Sequence, residues 1–468
     1  MISTKKLGCV VLLAAGLACS ARADPIDDYV GAAMARQHVP GLALAVIRHG
    51  QLVRAQGYGL ANLEHSVPVH PDTLFKSGAL GMQFTSAAIL LLAEDGKLRL
   101  DDPVHKYLPE APPTWAPITI RNLLDHTSGL PATPAGEFRT DYTDDELLRI
   151  IYRQDLNFPA GTRWRFSYTD YIVLGFIVRK ISGEFYADLL AKRVFAPAGM
   201  RTARPIDELA VVPHRAAGYE LRNGEARNAE WVSPTANSTA DGSLYLSILD
   251  YARWEAAATD RRILKPESWA AMGRPAQLAN GRSYPYGLGW FLGRSGSGAT
   301  WWHSGSWQGF KTFVIRYLGD ELTVVVFANS DGGDPASIAR HVAAMVDPTV
   351  APPPGAPIGD LTPQVTEQLK TLLMRIADGT ADDKGFTSVS KQDFADMMAE
   401  YRASLNSMGS LRQVALFARR ERGGDLVRVY RARYDKGVAD VSVGYAPDGA
   451  IASLDIAPVE DWTAPVHE

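Results

Sequence analysis

From Asp347 to Pro357 the chain reads Asp-Pro-Thr-Val-Ala-Pro-Pro-Pro-Gly-Ala-Pro, and no other stretch constrains the architecture more. Proline fixes φ and lacks an amide hydrogen, so such a run joins neither a helix interior nor the middle of a sheet. It reads as a semi-rigid spacer. A chain of 468 residues has room for more than one domain. Taken as residues 348–358, the spacer separates a large unit, 24–347, from a small one, 359–468.

The first 23 residues carry Lys5 and Lys6, an apolar run from Val10 to Ala18, and then Ala21-Arg22-Ala23. That order predicts a secretory signal cleaved after Ala23, and hence a periplasmic or secreted protein. A lipoprotein anchor at Cys19 has the weaker motif, because Gly16 stands where Leu is usual. Both cysteines, Cys9 and Cys19, fall inside the signal, so the processed chain is expected to hold no thiol or disulfide and to depend on burial for stability. Losing Lys5, Lys6 and Arg22 removes three positive charges and takes the formal charge from −4 to −7. A mildly acidic surface argues against nucleic acid or an anionic membrane as partner. No later segment reads as a membrane span; the apolar run 87–93 ends at Glu94-Asp95-Gly96, the pattern of a buried helix with a glycine stop.

Chemistry concentrates at residues 75–85, Phe-Lys-Ser-Gly-Ala-Leu-Gly-Met-Gln-Phe-Thr. Ala79 and Met82 are three apart, on one face of a helix. Further on come Asp101-Asp102-Pro103-Val104, Tyr107-Leu108-Pro109, Leu124-Asp125-His126-Thr127-Ser128-Gly129-Leu130-Pro131, Trp164-Arg165-Phe166-Ser167-Tyr168-Thr169-Asp170-Tyr171, and Trp302-His303-Ser304-Gly305 followed by Gly309-Phe310. In this order and spacing the motifs resemble the serine β-lactamase and penicillin-binding-protein family, in particular its class C, esterase and D-aminopeptidase branch. The resemblance runs over most of residues 25–348.

The resemblance implies an α+β fold: an antiparallel sheet flanked by helices, with an all-helical subdomain. Residues 41–47 and 52–58 would form a hairpin across His49-Gly50 and pair with strands near Phe313 and Val324. It also implies where catalysis would occur. The family's nucleophilic Ser and basic Lys, in Ser-x-x-Lys, fall on Ala79 and Met82; its Tyr and Asn, in Tyr-Ser-Asn, fall on Phe166 and Tyr168. His303 and Gly305 fit the His-x-Gly strand motif that forms a cleft wall. The oxyanion hole would be the backbone N–H groups of Ala79 and Ser306, which need no side chain. Ala79, Met82, Phe166, Tyr168, His303, Gly305 and Ser306 are therefore the expected binding cleft, with no functional catalytic set among them.

Three of those replacements, Ala for Ser, Met for Lys and Phe for Tyr, each delete a polar head and roughly keep volume. Removing every partner of a buried polar cluster can be neutral, where removing one leaves an uncompensated charge. The favoured expectation is a non-hydrolytic binder of a small peptide or acyl ligand, such as a cell-wall fragment. The alternatives are an active esterase, D-peptidase or β-lactamase-like hydrolase with a non-standard nucleophile, for which Ser77 and Ser86 are the local candidates, and a scaffold or interaction protein. Asp241-Gly242-Ser243-Leu244 and Asp250 read as scaffold, and Trp301, Trp302 and Trp307 as either cleft or core. His105, His126, His214 and His341 lack metal-ligand spacing, so no metal or other cofactor is expected.

Beyond the spacer, residues 362–376 and 391–405 have helical periodicity, and 413–419, 426–434, 438–445 and 451–456 have period-two character. This helix-then-meander order is similar to small cystatin-like or nuclear-transport-factor-like domains, and implies a packing or dimerisation module.

Overall fold

The computed structural model describes residues 24–459 apart from Asn223, Ser297, 352–355, Val389, Gln392 and Asp393. The expected signal segment lies outside the described residues. Asp24 opens the first helix, Pro25–Gln37, its carboxylate accepting from the Ile26 amide at 2.9 Å, with Pro25 at the first helical position where no amide is needed.

The large sheet has seven antiparallel strands in the order Phe291–Ser295, Gly298–Trp307, Phe310–Tyr317, Leu322–Ala328, Gly41–Arg48, Gln51–Asn62 and Val67–Pro68. The opening hairpin forms as its alternation predicts. On its other edge its first strand pairs with Leu322–Ala328, Leu42 facing Ala328 and Arg48 facing Leu322, and the strand holding Phe313 lies one place further out, not against the hairpin.

Gly41–Arg48 is buried along nearly its whole length because both faces of the sheet are covered. Leu42, Leu44 and Val46 pack with Tyr29, Ile338 and Val342 of the two helices on one face. Ala43, Ala45 and Ile47 point the other way, into a larger core holding Phe84, Ile89 and Trp254. The helix Met82–Glu94 runs through that second core with every residue from Met82 to Leu92 buried, and it stops where Gly96 takes a φ of 72°. The region between the sheet's two halves carries most of the helices, with short ribbons among them, such as Tyr219–Arg222 against Glu225–Asn228.

The spacer begins as packed structure: Pro348–Val350 is a single 3-10 turn and Val350 joins the core beneath the first helix. Beyond it, helices Pro363–Asp378 and Phe394–Met408 lie on an antiparallel meander of Leu411–Arg422, Asp425–Tyr434, Val438–Tyr445 and Ile451–Val459. Leu369, Leu373 and Leu405 meet Tyr430, Val441 and Leu454 in its core. The second of these helices starts three residues later than its periodicity predicts, after a turn in which Lys391 N–H bonds back to the Thr387 carbonyl.

Candidate functional site

The site is assembled from three backbone segments in close contact. The two-residue strand Phe75–Lys76 pairs with Leu244–Leu246, and the Ser77 amide donates to the Leu244 carbonyl at 2.9 Å. A 3-10 turn, Gly78–Gly81, then feeds the buried helix. Gly78 has a φ of 54°, and a Cβ there would stand 2.5 Å from the Ser306 nitrogen; only glycine permits both. A Cβ on Gly305 would stand 1.9 Å from the Ser77 carbonyl oxygen, which accepts from Thr312 Oγ1 at 2.7 Å.

This packing brings the amides of Ala79 and Ser306 into one neighbourhood. Ala79 lies in the first turn, where backbone N–H groups have no acceptor within the helix. Ala79 and Ser306 both line a cleft of about 160 Å³, together with Gly78, Tyr168, Asp241 and Trp307. Such a pair of donors can hold a carbonyl or carboxylate oxygen.

The other expected residues divide. Tyr168 lines the cleft, and its hydroxyl is pushed up to about 12 by burial, with the Asp241 carboxylate adding to the shift. Phe166 lines a second, wider groove that shares Ala79 and Tyr168 with the first and continues to Tyr401 and Met408 of the C-terminal unit. Met82 differs from expectation: it is fully buried in the core beneath Ala79 and lines neither space. It is the first residue of a helix in which every residue to Leu92 is buried.

His303 stands on the groove wall, but its ring is turned into the protein, with only 1% of the residue exposed. Its Nδ1–H donates to the Ser304 carbonyl at 2.6 Å, leaving Nε2 to accept from the Tyr286 hydroxyl at 3.1 Å. Burial lowers its pKa to about 4, so the ring is neutral at physiological pH. Nearby, His126 Nδ1 and Asp170 Oδ2 are 2.9 Å apart in full burial, boxed in by the rings of Phe166, Tyr171 and Tyr286. Desolvation drives the His126 pKa well down and the Asp170 pKa well up, so both shifts favour uncharged forms. Neither pair reaches the cleft as a free base.

The candidate nucleophiles are committed elsewhere. Ser77 is wholly buried and donates to the Gly242 carbonyl at 2.5 Å; Ser86 is wholly buried beside the Tyr171 hydroxyl at 3.0 Å.

Sequence reasoning placed Asp241, Gly242 and Ser243 in the scaffold, whereas all three line the cleft. The close approach of Gly242 to Gly78 carries them there. Of the three tryptophans, Trp307 lines the cleft and bonds Asn237 Oδ1 at 2.7 Å. Trp301 packs on Trp290 under the Arg316 guanidinium, and Trp302 stacks on Phe291 at 4.2 Å. Segments 133–142 and 233–239 supply most of the remaining wall, with no motif to announce them. Among the described residues, no group of three or more His, Cys, Asp or Glu is placed to hold a metal, and no helix is long and apolar enough to cross a membrane.

Comparison with known proteins covers the large unit most fully. A family model described as Beta-lactamase matches residues 26–346. Penicillin-binding protein 4* of Bacillus subtilis is 29% identical over 302 residues, which are 60% of this chain and 66% of that protein. Protein flp of Staphylococcus aureus is 24% identical over 332 residues, 68% of this chain and 65% of the relative. The chain thus spans about two thirds of the length of these curated relatives, 66% and 65%.

Solved structures share the fold. The octameric penicillin-binding protein homologue from Pyrococcus abyssi superposes with a TM-score of 0.62 at 23% identity, covering 93% of this chain and 96% of that one. FmtA from Staphylococcus aureus gives 0.60 at 19% identity, covering 70% and 90%.

Proposed function

Because the chain belongs to the β-lactamase family, we propose that it is a non-hydrolytic member, exported from the cell, that binds a small peptide or acyl ligand in the cleft at Ala79. The observation that carries this reading is the side chain at the head of the buried helix. A methyl group stands where the resemblance expects a hydroxyl, and a thioether and a phenyl ring stand at the positions of the base and the auxiliary tyrosine. In a well-studied serine hydrolase, losing the nucleophile or its base costs on the order of 10⁶ in turnover, and about 10³ to 10⁴ over water survives through the oxyanion hole and binding. Backbone donors outlast such substitutions because they belong to the fold.

The committed hydrogen bonds of Ser77 and Ser86 support the reading, as does the neutral, inward-turned His303. Export rests on the charge and apolar order of the first 23 residues.

The test is covalent capture. The mature protein is incubated with a fluorescent penicillin and with a fluorophosphonate, then weighed intact. Unchanged mass is expected, together with a rise in Tm on adding N-acetyl-D-alanyl-D-alanine amide. A stable adduct on any cleft side chain would return the protein to the active hydrolases.

A further inference from the structure

The cleft has a one-sided charge. Glu137 and Asp241 are the charged side chains among its described lining residues, and no Lys, Arg or His lines it. The nearby ammonium of Lys76 is buried and engaged by Glu208 and Gln308. Asp241 is half-buried, with Oδ1 accepting from Thr239 Oγ1 at 2.6 Å, and no cation pairs with it among the described residues. Its neighbour Gly242 approaches so closely that a Cβ there would lie 3.1 Å from the Ala79 Cα, and Asp241 lines the same cleft as Ala79.

The rest of the wall is largely apolar, including Phe138, Leu147, Ile172 and Trp307. A carboxylate in such surroundings loses hydration that neutral donors, the Thr239 and Ser243 side chains and its own backbone, only partly replace; a counter-charge with N–H donors would compensate it. A ligand carboxylate would add a third negative group instead. We propose that the ligand of this cleft carries a primary ammonium group and that Asp241 is its anchor, an extension that rests on the binding role proposed above. The class is an amine with an apolar body, such as a peptide or aminoacyl compound with a free amino group.

Three probes of one shape test this on the mature protein by calorimetry: phenylbutylamine, phenylbutanol and phenylbutyrate. The amine is expected to bind at least about tenfold more tightly than the alcohol, the scale of one charge-assisted hydrogen bond, and the carboxylate more weakly than either. Asp241→Asn, which keeps shape and removes charge, is expected to bring amine and alcohol to equal affinity. The wild-type ranking needs no variant and stands as a test even if that protein folds poorly. Equal affinity of amine and alcohol, preference for the carboxylate, absence of binding by all three, or an undiminished amine preference in Asp241→Asn overturns the proposal. N-acetyl-D-alanyl-D-alanine amide, which has no charge, reports separately on the binding role. If it binds while the amine has no advantage, the ammonium anchor falls and the binding role stands; if it too fails to bind, both fall.

Discussion

The Ser77 hydroxyl donates to the carbonyl oxygen of Gly242 at 2.5 Å, with Ser77 itself wholly out of contact with solvent. The hydroxyl closest in sequence to Ala79 thus serves as a clamp between two backbone segments. Restoring Ala79→Ser alone should therefore leave acylation by a fluorescent penicillin undetectable, since no amine stands ready to take the new hydroxyl's proton. Labelling of that single variant, read by gel fluorescence and intact mass, would reveal a base elsewhere.

Met82 is wholly buried, so Met82→Lys by itself should destabilise the protein by about 3 kcal/mol or more, as expected for an uncompensated buried ammonium. Adding Ala79→Ser and Phe166→Tyr supplies partners, and the triple variant is expected to regain part of that loss along with slow acylation. Chemical denaturation of the single and triple variants checks the first outcome, and penicillin labelling the second.

Gly305→Ala places a methyl against the Ser77 carbonyl and 2.5 Å from Thr312 Oγ1. A loss of roughly 2–3 kcal/mol in stability is expected from such overpacking, with weaker ligand-induced stabilisation, because the contact that gathers the Ala79 and Ser306 amides is forced apart.

Burial holds the Asp241 carboxyl at about 6, above its ordinary 3.8. A group raised in the folded state contributes stability that is complete below about 4 and lost as pH rises through about 6. Asp241→Asn should flatten that part of the pH–stability curve and leave the protein roughly 1–2 kcal/mol more stable at pH 7.5, allowing for the side chain's partial exposure. Urea midpoints at several pH values give the answer.

Tyr286→Phe removes the donor to His303 Nε2 in a site without solvent. The unpaired ring nitrogen should cost about 1–2 kcal/mol, visible as a lower Tm with little change in ligand affinity.

Much of this was legible from local chemistry. The apolar run with its Gly96 stop became the helix Met82–Glu94, and alternation at residues 41–47 and 52–58 became a hairpin. The four-strand meander followed its period-two segments, with the third strand, Val438–Tyr445, at the predicted bounds. These signals are written within each segment. The cleft contribution of Asp241 is different, because it depends on Gly242 meeting Gly78 across more than half of the large unit, a contact that no local pattern encodes. Met82 misled for a related reason: helical spacing gives the face but not what covers it. Trp301 and Trp307 look alike in sequence, yet one packs under Arg316 and the other faces the cleft.

The pairing of Leu42 with Ala328 has a consequence for assembly. During synthesis, the strand that becomes the sheet's most deeply enclosed member appears near the start, and its partner comes only after most of the large unit has been made. Until then it presents an oily, unpaired edge, and long-range closure of this kind is slow. The nascent protein must be kept from sticking to its neighbours until its two ends meet.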